Sequence, residues 1–263
     1  MIRHISYDAV GGGDNEFVDG VPFLRDVIRQ YELPVVSANV LGSGKREPFG
    51  PAYRIVRAGT VRVGIIGLGD PAAFALMKPD QRGNITIDAP EETLSRLLPE
   101  VQQDTDLILV LSHAALSQNR SLARRFPDIN VIVGSYSGRP LFEPVTEGET
   151  LIVQAGNNGS HVGRLDLVLD ETHQVSGYHG WLEPLLERMP DDPEILSIVE
   201  TYRERLLQQA ERAAGMASDE PPYLGAEKCR TCHEDQYQQW QTTAHSHAFQ
   251  TLIDAGKAQL PEC

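Results

Sequence analysis

The length of the apolar runs is the strongest constraint on how this chain folds. The longest, "VRVGIIGLG" and "DLILVLS", reach about nine and seven residues. A bilayer-spanning helix needs ~20 apolar residues, so these runs are strands in a buried sheet rather than membrane spans. The pattern predicts strands over 34–40 (PVVSANV), 61–68 (VRVGIIGL), 106–113 (DLILVLSH), 129–135 (INVIVGS), 150–156 (TLIVQAG) and 163–170 (GRLDLVLD). "DAPEETLSRLLPEVQQ" lies between two of them. Asp88 suits its N-cap and Pro90 its first turn, and Leu94, Leu97, Leu98 and Val101 fall on one helical face. Strands alternating with amphipathic helices predict an α/β fold with helices covering a mostly buried sheet.

A second helix is predicted over "DDPEILSIVETYRERLLQQAERAAG". Asp192 caps it, Pro193 opens it, Ile195, Ile198, Tyr202 and Leu206 line one face, and Gly215 ends it. "GMASDEPPYLG" then reads as a linker. Past Tyr223 the β-rich pattern stops and cysteines and histidines cluster. The expected organisation is a domain over 1–190, a helical extension over 191–217, a linker over 218–222 and a small, mostly helical module over 223–263.

Charge narrows the function. With 37 acidic and 23 basic residues the net charge is −14, which argues against general nucleic-acid binding. An anionic substrate would need a metal or a local cationic pocket. The N-terminus "MIRHISYDAVGGGD" lacks the apolar stretch of a secretory signal. Both ends read as cut from a longer protein, so any signal is expected upstream.

Cys229, Cys232 and His233 spell CxxCH. Two thiols at this spacing reach the two vinyl groups of one haem, and the adjacent imidazole faces the iron. Three rivals are a zinc site completed by His245 or His247, a redox dithiol and a structural disulfide. Zinc motifs usually place the histidine farther away, nothing strand-like precedes the pair as a thioredoxin-like dithiol would require, and a disulfide this short is uncommon. Covalent haem c is the expectation.

The downstream stretch "YQQWQTTAHSHAFQTL" resembles the multihaem c-type cytochromes of periplasmic electron transfer. Tyr237, Trp240, Thr243, His245, Ala248 and Leu252 fall on their recurring pattern. The resemblance implies that His245 or His247 is a distal haem ligand, that Cys263 opens a further CxxCH, and that the protein is periplasmic or extracellular with redox partner proteins.

A second resemblance covers roughly residues 7–170. "YDAVGGGDNEFVDG", "VVSANV", "VGIIGLGDP", "LSHAALSQNRSLARRFPDINVIVGSYSG" and "IVQAGNNGSHVGRLDLVLD" resemble the 5′-nucleotidase group of calcineurin-like metallophosphoesterases. It implies an α/β/β/α sandwich and two-metal (Mn or Zn) hydrolysis of a phosphorylated small ligand. Its site carries over poorly. The first two ligand motifs are absent, and Gly-Asn-His-Glu appears as Gly13-Asp14-Asn15-Glu16, without the histidine that protonates the leaving group. Ser112-His113 survives, whereas Tyr136 and Gly138 stand where two ligand histidines are expected. Asp14 and His113 are therefore the candidate metal ligands, in a vestigial site. His161 and His179 read as ordinary surface or core residues, and the glycines of "GGGDN" and "GLGDP" as strand-end turn residues.

These features predict an electron-transfer cytochrome whose degenerate phosphoesterase-like domain is a scaffold or binding module. The competing reading is a phosphoesterase tethered to a cytochrome.

Overall fold

A computed structural model describes residues 2–42, 47–79, 83, 85–136, 138–215, 225–255 and 258. The linker expected over 218–222 and Cys263 lie outside the described residues. In chain order the elements are α1 (Ile2–Ile5), β1 (Val10–Gly11), a 3₁₀ turn (Asn15–Phe17), α2 (Gly20–Gln30), β2 (Val35–Val36), β3 (Val40–Leu41), β4 (Tyr53–Ala58), β5 (Val61–Gly69), β6 (Thr86–Ile87), α3 (Pro90–Asp104), β7 (Leu107–His113), α4 (Leu116–Arg125), β8 (Val131–Gly134), β9 (Val145–Glu147), β10 (Thr150–Val153), β11 (His161–Leu169), β12 (Val175–Pro184) and α5 (Pro193–Gly215). After it come α6 (Glu227–Arg230), α7 (Glu234–Gln241), a second 3₁₀ turn (Ala244–His247) and α8 (Ala248–Asp254). The chain divides into two compact units, Ile2–Met189 and Pro190–Cys263, the latter taking in Met1.

The larger unit is built on a six-stranded mixed sheet in the order β4-β5-β7-β8-β10-β9. Its centre, β5, β7, β8 and β10, is parallel, and the edge pairs β4–β5 and β9–β10 are antiparallel. Side chains alternate across a strand, so Ile108 and Val110 of β7 face one layer while Leu109, Leu111 and His113 face the other. On the first face Ile66, Ile108, Val110, Ile132 and Ile152 pack against Leu94, Leu97, Leu98 and Val101 of α3 and Leu122 and Ala123 of α4. The helical face predicted for α3 is thus the buried one. Its N-cap is Ala89, not Asp88; the Asp88 backbone N–H is donated to the Asn39 carbonyl instead, at 2.9 Å.

The opposite face, with Leu109 and Val131, lines a cavity of about 270 Å³ shared with Leu165 and Trp181 of the β11–β12 hairpin. A second cluster, Phe17, Phe49, Phe74 and Ile85 among others, receives Val21, Leu24 and Ile28 of α2.

Several sequence expectations change here. The segment 34–40 is not one strand: β2 and β3 are separated by Ser37, Ala38 and Asn39, with Asn39 fully buried. The Asn39 amide donates to the carbonyls of Gly69 (2.6 Å) and Asp88 (2.8 Å) and accepts the Gly69 N–H at 2.8 Å. A side chain holding two loops leaves no continuous ladder through that position. Gly67 and Gly69 are not turn residues either, because both lie within β5. A Cβ on Gly67 would come within 2.1 Å of the Val36 carbonyl oxygen, so glycine is required there for close backbone approach.

The start of α5 bears out its predicted cap: Asp192 Oδ1 accepts the N–H groups of Glu194 and Ile195, each at 3.0 Å. Ile198 and Tyr202 on its predicted apolar face are exposed.

Gly67→Ala should destabilise the larger unit by about 3 kcal/mol, because the 36–38 segment must move off β5; chemical denaturation measures it. At the base of β7, Asp106 accepts from Arg62 through Nη2 (3.0 Å) and through the backbone N–H (2.7 Å), which holds its carboxyl well below the usual range. A folded-state pKa lowered this way contributes stability above the unfolded value, roughly pH 4, which is lost as pH falls further. Melting temperatures of Asp106→Asn should accordingly be lower than the parent's at pH 7 and fall less steeply between about pH 4 and pH 2.

Candidate functional site

Parallel register brings the C-terminal ends of β5, β7 and β8 together, pairing Gly69 with His113 and Ser112 with Gly134. Such strand ends are where α/β sheets place their sites. β1 ends alongside and feeds the turn Gly12-Gly13-Asp14.

His113 is the centre of the group. Its Nε2 lies 2.9 Å from Asp14 Oδ1 and its Nδ1 lies 3.0 Å from Ser135 Oγ. A carboxylate only accepts, so Nε2 is the donor to Asp14, while the Ser135 hydroxyl lies within reach of both Nδ1 and the Ser112 carbonyl, the latter at 3.4 Å. The ring meets Phe74 and Tyr136 edge-on, with centroids at 5.8 and 5.3 Å. The side chains of His113 and Asp14 are 15% and 27% exposed. Gly13 lies so close that a Cβ there would come within 2.6 Å of the imidazole, and its N–H is donated to Glu16 at 2.6 Å. Beside the group is a cavity of about 370 Å³ lined by Tyr7, Val10, Leu111 and Val133.

The structure therefore brings the two sequence-predicted metal ligands together. It also adds Ser135, the last residue of the strand expected over 129–135, which no motif in the sequence marks. Their donor atoms are turned on one another. Among the described residues no three His, Cys, Asp or Glu side chains form a group able to hold a metal ion. Asn15, Tyr136 and Gly138 supply none of the imidazoles that a dinuclear centre would use. The described donor set does not fit a two-metal site.

In the smaller unit, Cys229 lies in α6 and His233 is the N-cap of α7. Both Cys229 and Cys232 are exposed free thiols. The Cys229 carbonyl accepts the N–H groups of Cys232 (3.3 Å) and His233 (3.0 Å), so the motif is a compact turn open to solvent. That presentation, with a histidine directly after it, fits a covalently attached haem. His245 and His247 lie on the 3₁₀ turn before α8. They are not gathered with the cysteines into a tetrahedral set, so the zinc alternative finds no assembled site among the described residues. His161 sits against Ser160 and Phe142, and His179 stacks at 4.8 Å on Trp181.

Comparison with known proteins divides along the same lines. A family model described as "Cytochrome c554 and c-prime" matches residues 228–262. The 5′-nucleotidase of Bos taurus is 27% identical over 233 residues, covering 78% of this chain and 40% of its own length. The solved 5′-nucleotidase precursor of Thermus thermophilus superposes with a TM-score of 0.68 at 27% identity, over 79% of this chain and 45% of that one. The sulfate thiohydrolase SoxB of the same organism gives 0.70 at 19% identity, over 77% and 38%, a likeness of fold alone. The chain thus spans less than half the length of these relatives. It carries a 5′-nucleotidase-like metallophosphoesterase domain with the calcineurin-like α/β fold, followed by a small helical segment that the cytochrome family matches. No helix among the described residues is long and apolar enough to cross a membrane.

Gly13→Ala should push the His113 ring off Asp14. The expected result is a changed ¹⁵N shift at Nε2 and a loss of roughly 1 kcal/mol of stability, about one hydrogen bond.

Proposed function

We propose that this chain works in electron transfer through a c-type haem, with its phosphoesterase-like domain serving as a scaffold or docking module. The observation that carries the proposal is the CxxCH turn, solvent-open at both thiols and lying within the cytochrome-matched segment. Bound there, haem supplies one-electron chemistry between its ferrous and ferric states. Cys229 and Cys232 would anchor it and His233 would hold the iron from one side. His245 or His247 is the candidate for the other side, and two histidine ligands favour electron transfer over substrate chemistry. The resemblance to periplasmic multihaem cytochromes supports redox proteins as partners and a periplasmic or extracellular location.

The scaffold half of the proposal rests on the donor set around His113. Two ligands facing one another do not hold a pair of cations, and Asn15 cannot donate and recover a proton near neutral pH. One observation favours the second reading, metal-dependent hydrolysis of a phosphorylated ligand: Asp14 and His113 stay together at the strand ends, in a domain whose relatives are named as 5′-nucleotidases.

Expression of the full chain with haem-maturation machinery should give a pyridine haemochrome spectrum that disappears in the Cys229→Ala/Cys232→Ala variant. A parent without covalent haem overturns the electron-transfer assignment. The same preparation, given AMP with manganese or zinc, should release phosphate no faster than a His113→Ala variant. Robust turnover that the variant loses would establish the hydrolase instead.

A further inference from the structure

Among the described residues of Pro190–Cys263, Tyr237 is the one that is buried, at 7% exposure, while the cysteines and Trp240 around it are open to solvent. Its position is held from both sides of the CxxCH turn. On the far side of the motif, ten residues back, Glu227 of α6 accepts the Tyr237 hydroxyl. On the near side Gln241 donates to the same hydroxyl at 3.1 Å, and the Tyr237 N–H is donated to the His233 carbonyl at 2.9 Å. The Arg230 guanidinium lies over the ring, 5.8 Å from its centroid, and is itself tied to Glu234 at 3.0 Å. Cys229, Cys232 and His233 therefore sit within a loop closed at its two ends by one side-chain pair.

Closing a loop removes conformations that the open chain would sample, and a charged acceptor makes a hydrogen bond stronger than a neutral one. No other described residue of this unit is buried; the remaining ties across the turn are the backbone bonds to the Cys229 carbonyl and the exposed Arg230–Glu234 pair. We infer that the Tyr237–Glu227 pair is a latch that sets the CxxCH turn in the haem-free chain and positions Cys229, Cys232 and His233 for haem attachment. The positioning claim rests on the haem assignment above; the latch itself does not. Tyr237 is a positioning residue, acting through the turn. The hydrogen bond to the Glu227 carboxylate raises the Tyr237 pKa above the ordinary phenol value.

Hydrogen exchange on the haem-free full chain tests the latch. In Tyr237→Phe and Glu227→Ala the amides of Cys232, His233 and Tyr237 should exchange about tenfold faster, while Glu227→Gln, whose neutral carbonyl accepts a weaker bond, should fall between these and the parent, at about threefold. Parent-like exchange in Tyr237→Phe overturns the latch. Haem loading of the same variants tests positioning: occupancy should fall about fivefold in the first two and less in Glu227→Gln. Full loading despite lost protection overturns the positioning role. A parent that takes no haem removes both the haem assignment and the positioning claim, and the exchange pattern then still decides the latch.

Discussion

The register of three parallel strands is what the candidate site of the larger unit depends on. Because β7 pairs with β5 from Val63↔Leu107 to Gly69↔His113, and with β8 up to Ser112↔Gly134, the strand ends finish level with one another. His113 then points away from the helix layer, with Ser135 one residue past the end of β8. A slip of one residue would turn His113 into the hydrophobic core and expose Ser112, which is buried against Asn119 at 2.6 Å. Glycines complete the arrangement by allowing close approach. Gly67 lets the segment after β2 cross β5, and Gly13 lets the Asp14 turn close onto the imidazole. Neither needs a left-handed backbone; each needs the absence of a Cβ.

This division explains what was legible in the sequence. β5, β7 and α3 announce themselves because both faces of the strands, or one clean stripe of the helix, are buried and therefore apolar. The edge strand β4, "YRIVRA", is exposed at Arg54 and Arg57 and carries only a diluted alternation. α4 buries little more than Leu122 and Ala123 between arginines, and its period is correspondingly faint. The break inside 34–40 was hidden because Ser37 and Asn39 hydrogen-bond to backbone beyond the strand ladder, in the case of Asn39 far away in sequence, which no local pattern records. Asp14 and His113 were readable as residue types from a family motif. Their direct hydrogen bond and the hydroxyl of Ser135 were not, since both depend on a contact across 99 residues and on a position where the motif carries no functional group.

Electrostatics bears on what the His113 group can bind. A chain with a net charge of −14 repels a phosphate dianion unless cations are held locally. The resemblance to metallophosphoesterases implies a metal pair as the source of that positive charge. Here Asp14 lies on the imidazole and Glu16 binds the backbone of Gly13, so two carboxylates border the site. The hydrogen-bond requirements of Asp14 and His113 are met by each other and by Ser135, a stable arrangement without an ion. Packing and hydrogen bonding hold these side chains in place, as the scaffold reading proposed above requires.

The cytochrome-matched segment faces the opposite physical problem. Among its described residues Tyr237 alone is buried, and small segments with so little core usually depend on a metal, a cofactor or disulfides for their structure. If haem supplied all of the order, the thiols would have to be presented by an unstructured chain, and attachment would bear the full entropy of fixing the turn. A buried tyrosine anchored on a carboxylate reduces that entropy in advance by tying α6 to α7. The apolar side chains that stay open, Trp240, Phe249 and Ile253, are then available for a macrocycle or a partner to cover. The same residue type that signals a cytochrome-like pattern in the sequence thus has a mechanical task in the structure: Tyr237 keeps the turn formed while the surface around it remains uncovered.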